Sequence, residues 1–486
     1  MKTGFTCLNR QPLLEMLPPK EIDDIHYASL EILEDVGVDI FSEEARALLR
    51  NAGAYANGQN VKIPSFLVEE AIRSAPSKIV MHDRLGNRAM SLERNSAFFG
   101  NGSDLLYTID LYDGQRRFST IGDVGTSARL CDALENIDFV MSYAIPQGGR
   151  DGVELLQLRQ MLENTIKPLV MTVYSDRRIL EKMIEMCRAV AGGKEELENK
   201  PFLCVYGQFI SPLTHHREAL DRLLICAENM TPVIYVPTIL AGASGPATMA
   251  GAVALGNAEV LAGLAIAQLK RRGSPFIFGG CVSSFDMSKM ILPYGSPEWQ
   301  MANGIMCQLA RRYRLPVFAT GGCTDAKAID GQAAAEGAFS LLMSALTGGN
   351  LIHDVGYMQS GLTGSPAYLA FCDEMIGYVK RILRNFTVND ETIALRQVRE
   401  AGPHGDFMTD EHTVRHYKNE TWYPGLFDRN SYEAWAESGT LTAEDRAVRK
   451  AKKLLETHMP VPLDETVIKR LDQLTVPNNT LSSLTV

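Results

Sequence analysis

Short apolar runs alternate with helical stretches along the middle of the chain. Each run is rich in β-forming residues, and successive runs start roughly 30 to 40 residues apart, which suffices for a strand and a crossover helix. Such near-continuous apolar runs are typical of strands that are buried on both faces of a parallel sheet. The eight runs are 97–102, 138–144, 168–174, 202–208, 232–238, 275–280, 316–322 and 351–356.

The segments between these runs carry helical patterns. Apolar residues recur at three- and four-residue steps in 176–191 and 214–230, while 246–272 and 333–346 are rich in Ala and Leu. Eight alternations of strand and helix predict the α/β class and, within it, a (β/α)8 TIM barrel. An open doubly wound sheet is the alternative, but the G-x-G-x-x-G sequence of dinucleotide-binding sheets does not follow the first strand.

Two flanks remain beside the predicted barrel, which takes residues 96–385. Residues 1–95 are predicted to form a mainly helical N-terminal addition, and residues 386–486 a C-terminal extension. No low-complexity linker separates either flank from the barrel, so we expect both to pack against it. The helices predicted within the flanks are 19–37, 42–52, 65–74 and 442–458.

Composition and charge narrow the class of protein. Of the 486 residues, 45% are hydrophobic and 22% charged, as in ordinary globular proteins. The net charge of -10 argues against nucleic acid as a partner, because phosphate binding requires a basic surface. The chain has no apolar run of about 18 residues free of charge, so we expect no membrane span. Nine scattered cysteines without a C-x-x-C pair, and no secretion signal, predict reduced thiols in a cytoplasmic protein.

Tyrosines and amides are frequent where the predicted strands end, and arginines are rare there. Reactive groups of β/α barrels gather at the carboxyl ends of the strands. Aromatic ring faces attract quaternary ammonium cations, so we predict that Tyr107, Tyr206 and Tyr357 bind a cationic substrate. A tyrosine at a strand end can equally be a packed residue with a hydrated hydroxyl group.

Polar residues also follow the seventh predicted strand. Asp325 and Gln332 are candidate catalytic residues, because a carboxylate here could act as a general base or as a charge at a helix N-terminus. Asp330, between them, is equally suited to cap the following helix.

Two successive G-G-C triplets end the sixth and seventh strands. With His353, Cys281 and Cys323 could bind zinc and activate a thiol for methyl transfer. The alternative is that both cysteines are small apolar residues in tight turns. We favour this alternative and expect no metal, because the three residues are not sequence neighbours and free cysteine is commonly buried.

Several segments resemble the trimethylamine methyltransferase family. They are 240–268, 295–298 (GSPE), 309–316 (LARRYRLP), 321–332 (GGCTDAKAIDGQ), 412–413 and 422–429. The resemblance implies an eight-stranded barrel enzyme, a homo-oligomer, and a corrinoid cofactor carried by a separate small protein. One branch of the family inserts pyrrolysine and demethylates trimethylamine. This chain has only standard residues and therefore resembles the branch that uses quaternary amines such as glycine betaine, proline betaine or carnitine.

The reaction that the resemblance implies is transfer of one methyl group from such an amine to the Co(I) corrinoid of the partner protein. The amine leaves neutral, so no general acid is required. The carboxylate of a betaine requires fixed donors, for which His353 and Gln208 are candidates. A corrinoid-binding module within the chain would show the sequence D-x-H-x-x-G. The nearest match, residues 24–29, has Ser in place of the final Gly. We therefore expect no tightly bound cofactor.

Two other functions stay open at this point. One is a zinc-dependent thiol methyltransferase that uses the two cysteines and His353. The other is a non-catalytic barrel that binds a betaine.

Overall fold

Eight parallel strands form the centre of the molecule in the computed structural model, which describes residues 12–147 and 152–475. The second to eighth strands pair in chain order, and the eighth also pairs with the first. All eight lie within the predicted apolar runs, which confirms the predicted fold. The strands are β1 (Phe98–Phe99), β2 (Val140–Met141), β3 (Leu169–Thr172), β4 (Leu203–Gln208), β5 (Val233–Val236), β6 (Phe276–Gly279), β7 (Val317–Thr320) and β8 (Leu351–His353).

The sheet closes into a barrel between β1 and β2. A parallel bridge joins Gly100 to Phe139, and the amide of Asp138 donates to the Phe99 carbonyl at 2.6 Å. A Cβ atom at Gly100 would overlap the Phe139 ring. Glycine is therefore required at this position for the backbones to approach closely enough to pair.

Proline precedes four of the strands and marks where each begins. Proline has no amide hydrogen and is tolerated at the first residue of a strand. Here its carbonyl still takes part in the barrel, because each of the four accepts a hydrogen bond from the preceding strand. The pairs are Val140 to Pro168, Val205 to Pro232, Val233 to Pro275 and Phe278 to Pro316.

One helix follows each strand. Several begin at a side-chain cap, because Ser296, Asp330 and Ser365 accept hydrogen bonds from the first turns of α6 (Pro297–Tyr313), α7 (Gly331–Leu346) and α8 (Pro366–Leu383). The predicted helix 214–230 begins only at Arg217, because Thr214 and His215 pair with Asp39 and Ile40 as a short strand. The helices are α1 (Ile121–Ala133), α2 (Val153–Asn164), α3 (Arg177–Ala191), α4 (Arg217–Glu228), α5 (Met249–Lys270), α6 (Pro297–Tyr313), α7 (Gly331–Leu346) and α8 (Pro366–Leu383).

An antiparallel hairpin closes the N-terminal end of the barrel. Its strands, Ile79–His82 and Arg88–Leu92, place Met81 and Leu92 in one buried cluster with inward-facing barrel residues such as Phe98. The amide of His82 donates to the carbonyl of Pro201, just before β4. The sequence did not predict this hairpin within the N-terminal addition.

The remainder of the N-terminal addition covers α5, whose residues from Ala252 to Gln268 are all buried. Among the described residues, α5 is the one helix long and apolar enough to cross a membrane, yet 83% of its apolar window is buried inside the protein. Asn257 on α5 donates to Ser29 of the addition at 2.8 Å. The elements of the addition are helices Pro19–Glu31, Ile32–Val36 (a π-helix), Glu43–Asn51 and Ser65–Ser74, and strands Val38–Ile40, Tyr55–Asn57 and Asn60–Lys62.

The C-terminal extension contacts the barrel helices through its last part. Helix Ala443–Thr457 brings Lys450 within 2.7 Å of Asp373 on α8, and His458 lies 2.7 Å from Asp132 on α1. The helices of the extension are Asp390–Ile393, Leu395–Ala401, Glu411–Glu420, Tyr432–Glu437, Ala443–Thr457 and Glu465–Thr475. Within the barrel, a further short helix, Lys194–Asn199, precedes β4.

Glu259 is a carboxyl group buried on α5. It accepts hydrogen bonds from the Leu213 amide and, at 2.8 Å, from the Ser211 hydroxyl. Burial raises its pKa from 4.5 in a free side chain to about 8. Between these two values the unfolded chain binds fewer protons than the folded one, so this residue lowers the free energy of unfolding as the pH rises.

We therefore expect Glu259→Gln to flatten the pH dependence of stability between about pH 5 and 8, since an amide keeps both contacts without a charge. The free energies of unfolding of variant and parent should diverge by at least about 1.4 kcal/mol over this range, the equivalent of one pKa unit. Denaturant titrations at several pH values measure the difference. Glu298→Gln, at an exposed position on α6, is the control, and parallel pH profiles for parent and Glu259→Gln would contradict the assignment.

Candidate active site

Short strands extend the barrel wall beyond the carboxyl ends of the eight strands. They form a four-stranded sheet beside β1 and β8 and a two-stranded parallel sheet beyond β5 and β6. These strands raise the rim of the barrel and bring residues far apart in sequence to one mouth. Their bounds are Tyr107–Ile109, Arg116–Phe118, Tyr357–Met358 and Thr363–Gly364 in the first sheet, and Thr238–Ala241 and Cys281–Ser284 in the second.

A buried carboxylate, Asp354, lies in this mouth directly after β8. It exposes 4% of its surface and has a φ of +69°. His353 Nδ1 lies 2.8 Å from Asp354 Oδ1, without the alignment of a hydrogen bond. A Cβ atom at Gly102 would overlap both Asp354 Oδ1 and the Tyr357 ring, so glycine after β1 provides the space that these side chains occupy.

Aromatic side chains surround Asp354. Tyr294 stacks on Trp299 with ring centroids 4.5 Å apart, and the Tyr357 hydroxyl donates to the Ser103 carbonyl. Burial and then the negative charge of Asp354 raise the pKa of Tyr294 and of Tyr357 well above its usual range. These phenols stay neutral and present ring faces and hydroxyl dipoles to the mouth.

His353 is fixed by stacking. Its ring lies on Phe318 with centroids 3.8 Å apart and an interplanar angle of 9°, and its Nε2 is 3.1 Å from the Thr320 hydroxyl. Its other nitrogen faces Asp354. A substrate carboxylate bound at this ring would therefore lie beside an existing negative charge.

A cavity with a volume of about 410 Å³ opens beyond the ends of β3 and β4. Asp104, on one part of its wall, accepts a hydrogen bond from the Tyr174 hydroxyl. Burial, and to a smaller degree Asp354, raises the pKa of the Asp104 carboxyl. Tyr206, which exposes 8% of its surface, and Gln208 also line this cavity. The remaining lining residues are Thr172, Val173, Phe209, Ile210, His216, Glu218 and Arg222.

Arg222, on α4, is a buried cation on the wall of the same cavity. It exposes 7% of its surface. Its guanidinium donates to the backbone carbonyls of Val173 at 2.7 Å and Gln208 at 3.3 Å, and its Nε has no hydrogen-bond partner among the described residues. Burial lowers the pKa of this guanidinium. An anionic ligand group would relieve the cost of burying this charge.

The predicted substrate-binding residues lie in three places in the structure. Tyr206 and Gln208 line the cavity, and His353 and Tyr357 lie at Asp354. Tyr107 is different, because the guanidinium of Arg116 already lies 3.4 Å from its ring centroid and Phe118 stacks on it at 4.8 Å. A second cation at this ring would be repelled by Arg116.

The two predicted catalytic residues make different contacts: Asp325 holds two loops, and Gln332 contacts its own helix. The Asp325 carboxylate accepts hydrogen bonds from the amides of Tyr294 and Gly295, both at 2.9 Å, and from the Ser360 hydroxyl at 2.8 Å. It therefore positions Tyr294. Gln332 is exposed and donates to Glu336 at 2.9 Å, away from the cavity-lining residues. Asp330 caps α7, as the alternative interpretation held.

The structure does not bring Cys281, Cys323 and His353 together as a metal site. Among the described residues, the one group of three ligating side chains close enough to share an ion lies elsewhere. Burial also raises the pKa of the Cys281 thiol to about 12 and that of Cys323 well above 9.0, so both stay protonated. The eight cysteines among the described residues are all buried, and Cys7 lies outside that part of the chain.

Sequence reasoning missed Tyr294, Trp299 and Arg222 as members of the mouth. Tyr294 lies at the far end of the long segment between β6 and α6, Trp299 lies in the first turn of α6, and Arg222 lies within α4. None of the three stands at the carboxyl end of a barrel strand. The one available signal was Tyr294 directly before the GSPE segment.

Comparison with known proteins places this chain in a family. The sequence profile described as "Trimethylamine methyltransferase (MTTB)" matches residues 2–476. A trimethylamine methyltransferase of Desulfitobacterium hafniense is 32% identical over 454 residues, which are 93% of this chain and 91% of that protein. A glycine betaine methyltransferase of Desulfitobacterium hafniense strain Y51 is 31% identical over 465 residues, covering 95% and 96% of the two chains.

A solved structure supports the fold. The monomethylamine methyltransferase of Methanosarcina barkeri superposes with a TM-score of 0.51 at 12% identity, covering 91% of this chain and 88% of that one. At this identity the likeness shows the architecture alone. The profile match and the relatives, which extend over nearly the whole chain, show that this protein belongs to the trimethylamine methyltransferase family.

Proposed function

We propose that this methyltransferase removes one methyl group from a zwitterionic quaternary amine, glycine betaine or a related betaine, and transfers it to the Co(I) corrinoid of a partner protein. One observation carries the proposal: a single cavity is lined by a carboxyl group and aromatic rings, those of Asp104, Tyr174 and Tyr206, and also by a buried arginine, Arg222. A betaine carries the two complementary charges.

The cation would bind at the aromatic part of the cavity. Ring faces attract a quaternary ammonium group by about 2 kcal/mol or more when water is excluded. Asp104 adds a carboxyl group whose pKa is raised by burial and, to a smaller degree, by the charge of Asp354. Asp354 adds a second negative charge behind Tyr206, Tyr294 and Tyr357. A permanent cation suits this environment better than water does.

The carboxylate of the substrate would bind at Arg222 and Gln208. The guanidinium offers further donors beyond those used by the backbone carbonyls, and charge-assisted hydrogen bonds to a carboxylate are strong. His353, the other predicted donor, is less suitable because Asp354 lies 2.8 Å from its ring. This assignment distinguishes betaines from quaternary amines that lack a carboxylate.

The residues of this chain would orient the amine and exclude water, since the leaving tertiary amine is neutral and requires no proton. The positive charge on nitrogen is lost as the methyl group departs, so a tight carboxylate contact would stabilise the substrate more than the transition state. Aromatic rings exert a weaker and more even field. The corrinoid, in its Co(I) state, supplies the nucleophile that accepts the methyl group.

The rim of the mouth suits docking of a protein partner. Exposed apolar side chains occur on five of the loops that follow barrel strands. Large exposed apolar patches on soluble proteins commonly mark interaction sites. The exposed side chains are Leu106, Ile145, Ile210, Met287, Met290, Ile291 and Leu362. One of these side chains, Ile210, also lines the cavity.

The function is tested by methyl transfer from a panel of amines to a reduced corrinoid protein, followed by mass spectrometry of the amine. We expect loss of one methyl group from glycine betaine or another betaine, with little turnover of trimethylamine or tetramethylammonium. Trimethylamine turnover above that of every betaine would overturn the proposed substrate class. Transfer from none of the amines, with a corrinoid protein that accepts methyl groups from another methyltransferase, would refute the function.

Asp104 should make binding of a quaternary amine depend on pH. Its carboxyl attracts the cation only when ionised, and its pKa is raised, so affinity should increase as the pH rises through this pKa. Asp104→Asn should remove the dependence and weaken binding above it on the order of tenfold, the effect of losing one nearby charge. Calorimetric titration with glycine betaine measures both. Asp113→Asn, at an exposed position, is the control, and an unchanged pH profile in Asp104→Asn would refute the role.

Arg222→Met should weaken glycine betaine more than an amine without a carboxylate. We expect KM for glycine betaine to rise at least about tenfold, as for a lost charged hydrogen bond, while the affinity for tetramethylammonium changes little. Because Arg222 also donates to Val173 and Gln208, this split separates recognition from a general loss of structure. Arg217→Met, exposed on the same helix, is the control. Equal losses for both amines would contradict the assignment.

A further inference from the structure

The part of the C-terminal extension between α8 and helix Ala443–Thr457 has little core of its own. Helices Asp390–Ile393, Glu411–Glu420 and Tyr432–Glu437 contain no buried residue. Apolar burial is the usual source of stability for a packed segment, and small units without it commonly depend on disulfides or metal ions. Leu426 and Phe427 of this segment pack on the main core, whereas the three helices are held by polar contacts.

Three of these polar side chains meet on one side of helix Glu411–Glu420. His412 and His416 are separated by four positions and so lie on the same face of that helix, with their rings 4.3 Å apart. His416 Nε2 lies 3.2 Å from Oε1 of Glu391, which belongs to helix Asp390–Ile393. One ligand atom from each of the three residues lies within 4.8 Å of the other two.

We infer that Glu391, His412 and His416 bind a divalent transition-metal ion of the Zn²⁺ class. Two imidazole nitrogens and one carboxylate oxygen are a donor set that zinc accepts in tetrahedral sites, with a fourth position for water. His412 and His416 are half-buried and Glu391 is exposed, so the fourth position would face solvent. The ion would join two helices that share no hydrophobic core.

Neighbouring groups prepare the histidines for this role. Asp410 caps the helix by accepting a hydrogen bond from the His412 amide at 2.7 Å, which fixes the first turn. His412 Nε2 lies 2.9 Å from the Glu391 carbonyl. If this nitrogen carries the proton, Nδ1 retains its lone pair for the metal, as in sites where a ligating histidine donates its other N–H to a backbone carbonyl.

Arg415 competes for the same carboxylate. Its Nη2 lies 3.2 Å from Glu391 Oε1, the oxygen that also faces His416. A bound ion must share the carboxylate with this guanidinium or displace it. Removing the arginine should therefore strengthen metal binding, a direction that a purely structural cluster of side chains does not predict.

The test is titration of the full-length, chelator-treated chain with Zn²⁺ by calorimetry, and with Co²⁺ by visible absorption. We expect one ion per chain at micromolar protein concentration. His412→Ala, His416→Ala and Glu391→Gln should each reduce the affinity by more than the tenfold to hundredfold typical for loss of an outer-shell partner. Arg415→Gln should increase it. His404→Ala removes an exposed histidine of the same extension that is outside the group and should leave binding unchanged.

Proteolysis provides a readout that does not depend on methyl transfer. Zn²⁺ should slow cleavage within residues 386–441 of the parent and of Arg415→Gln, but not of Glu391→Gln, which keeps both histidines and should fold normally. Absence of stoichiometric binding by the parent, or equal affinities of parent, His404→Ala and both other histidine variants, would overturn the proposal.

Discussion

The ring of eight strands can close only because the backbone at Gly100 approaches the Phe139 ring at a distance that no side chain allows. Closure forces the carboxyl ends of β1 to β8 to face one opening. It also leaves the opposite end to be filled, which the hairpin of Ile79–His82 and Arg88–Leu92 does with apolar side chains. Every feature of the mouth follows from this convergence.

Charge is distributed unevenly within that mouth. Asp354 and Asp104 place negative charge behind a wall of tyrosines, and burial keeps the phenols neutral. Arg222 places a positive charge in the wall of the same cavity, where its guanidinium donates to backbone carbonyls. A buried charge without an ionic partner is costly, and such a cost is commonly met at sites where a ligand supplies the missing charge.

The flanks serve different physical purposes. The N-terminal addition covers α5, whose apolar surface extends around the whole helix and could not face water. The end of the C-terminal extension packs on α8 through Lys450 and Asp373. Three helices in the middle of the extension contain no buried residue, and polar contacts, including those of Glu391, hold them.

The amino-acid sequence by itself determined the barrel, because apolar runs bounded by proline or glycine and spaced by helical stretches are local features of the chain. It also identified the family. Tyr206 and Gln208, predicted to bind substrate because they stand at the end of β4, line the cavity. Local patterns could not predict that Asp325 would turn toward the amides of Tyr294 and Gly295, or that Arg116 would cover Tyr107. Only the tertiary structure decided which polar groups face the cavity and which hold loops, because those contacts join residues that lie far apart in the chain and depend on the packing between them.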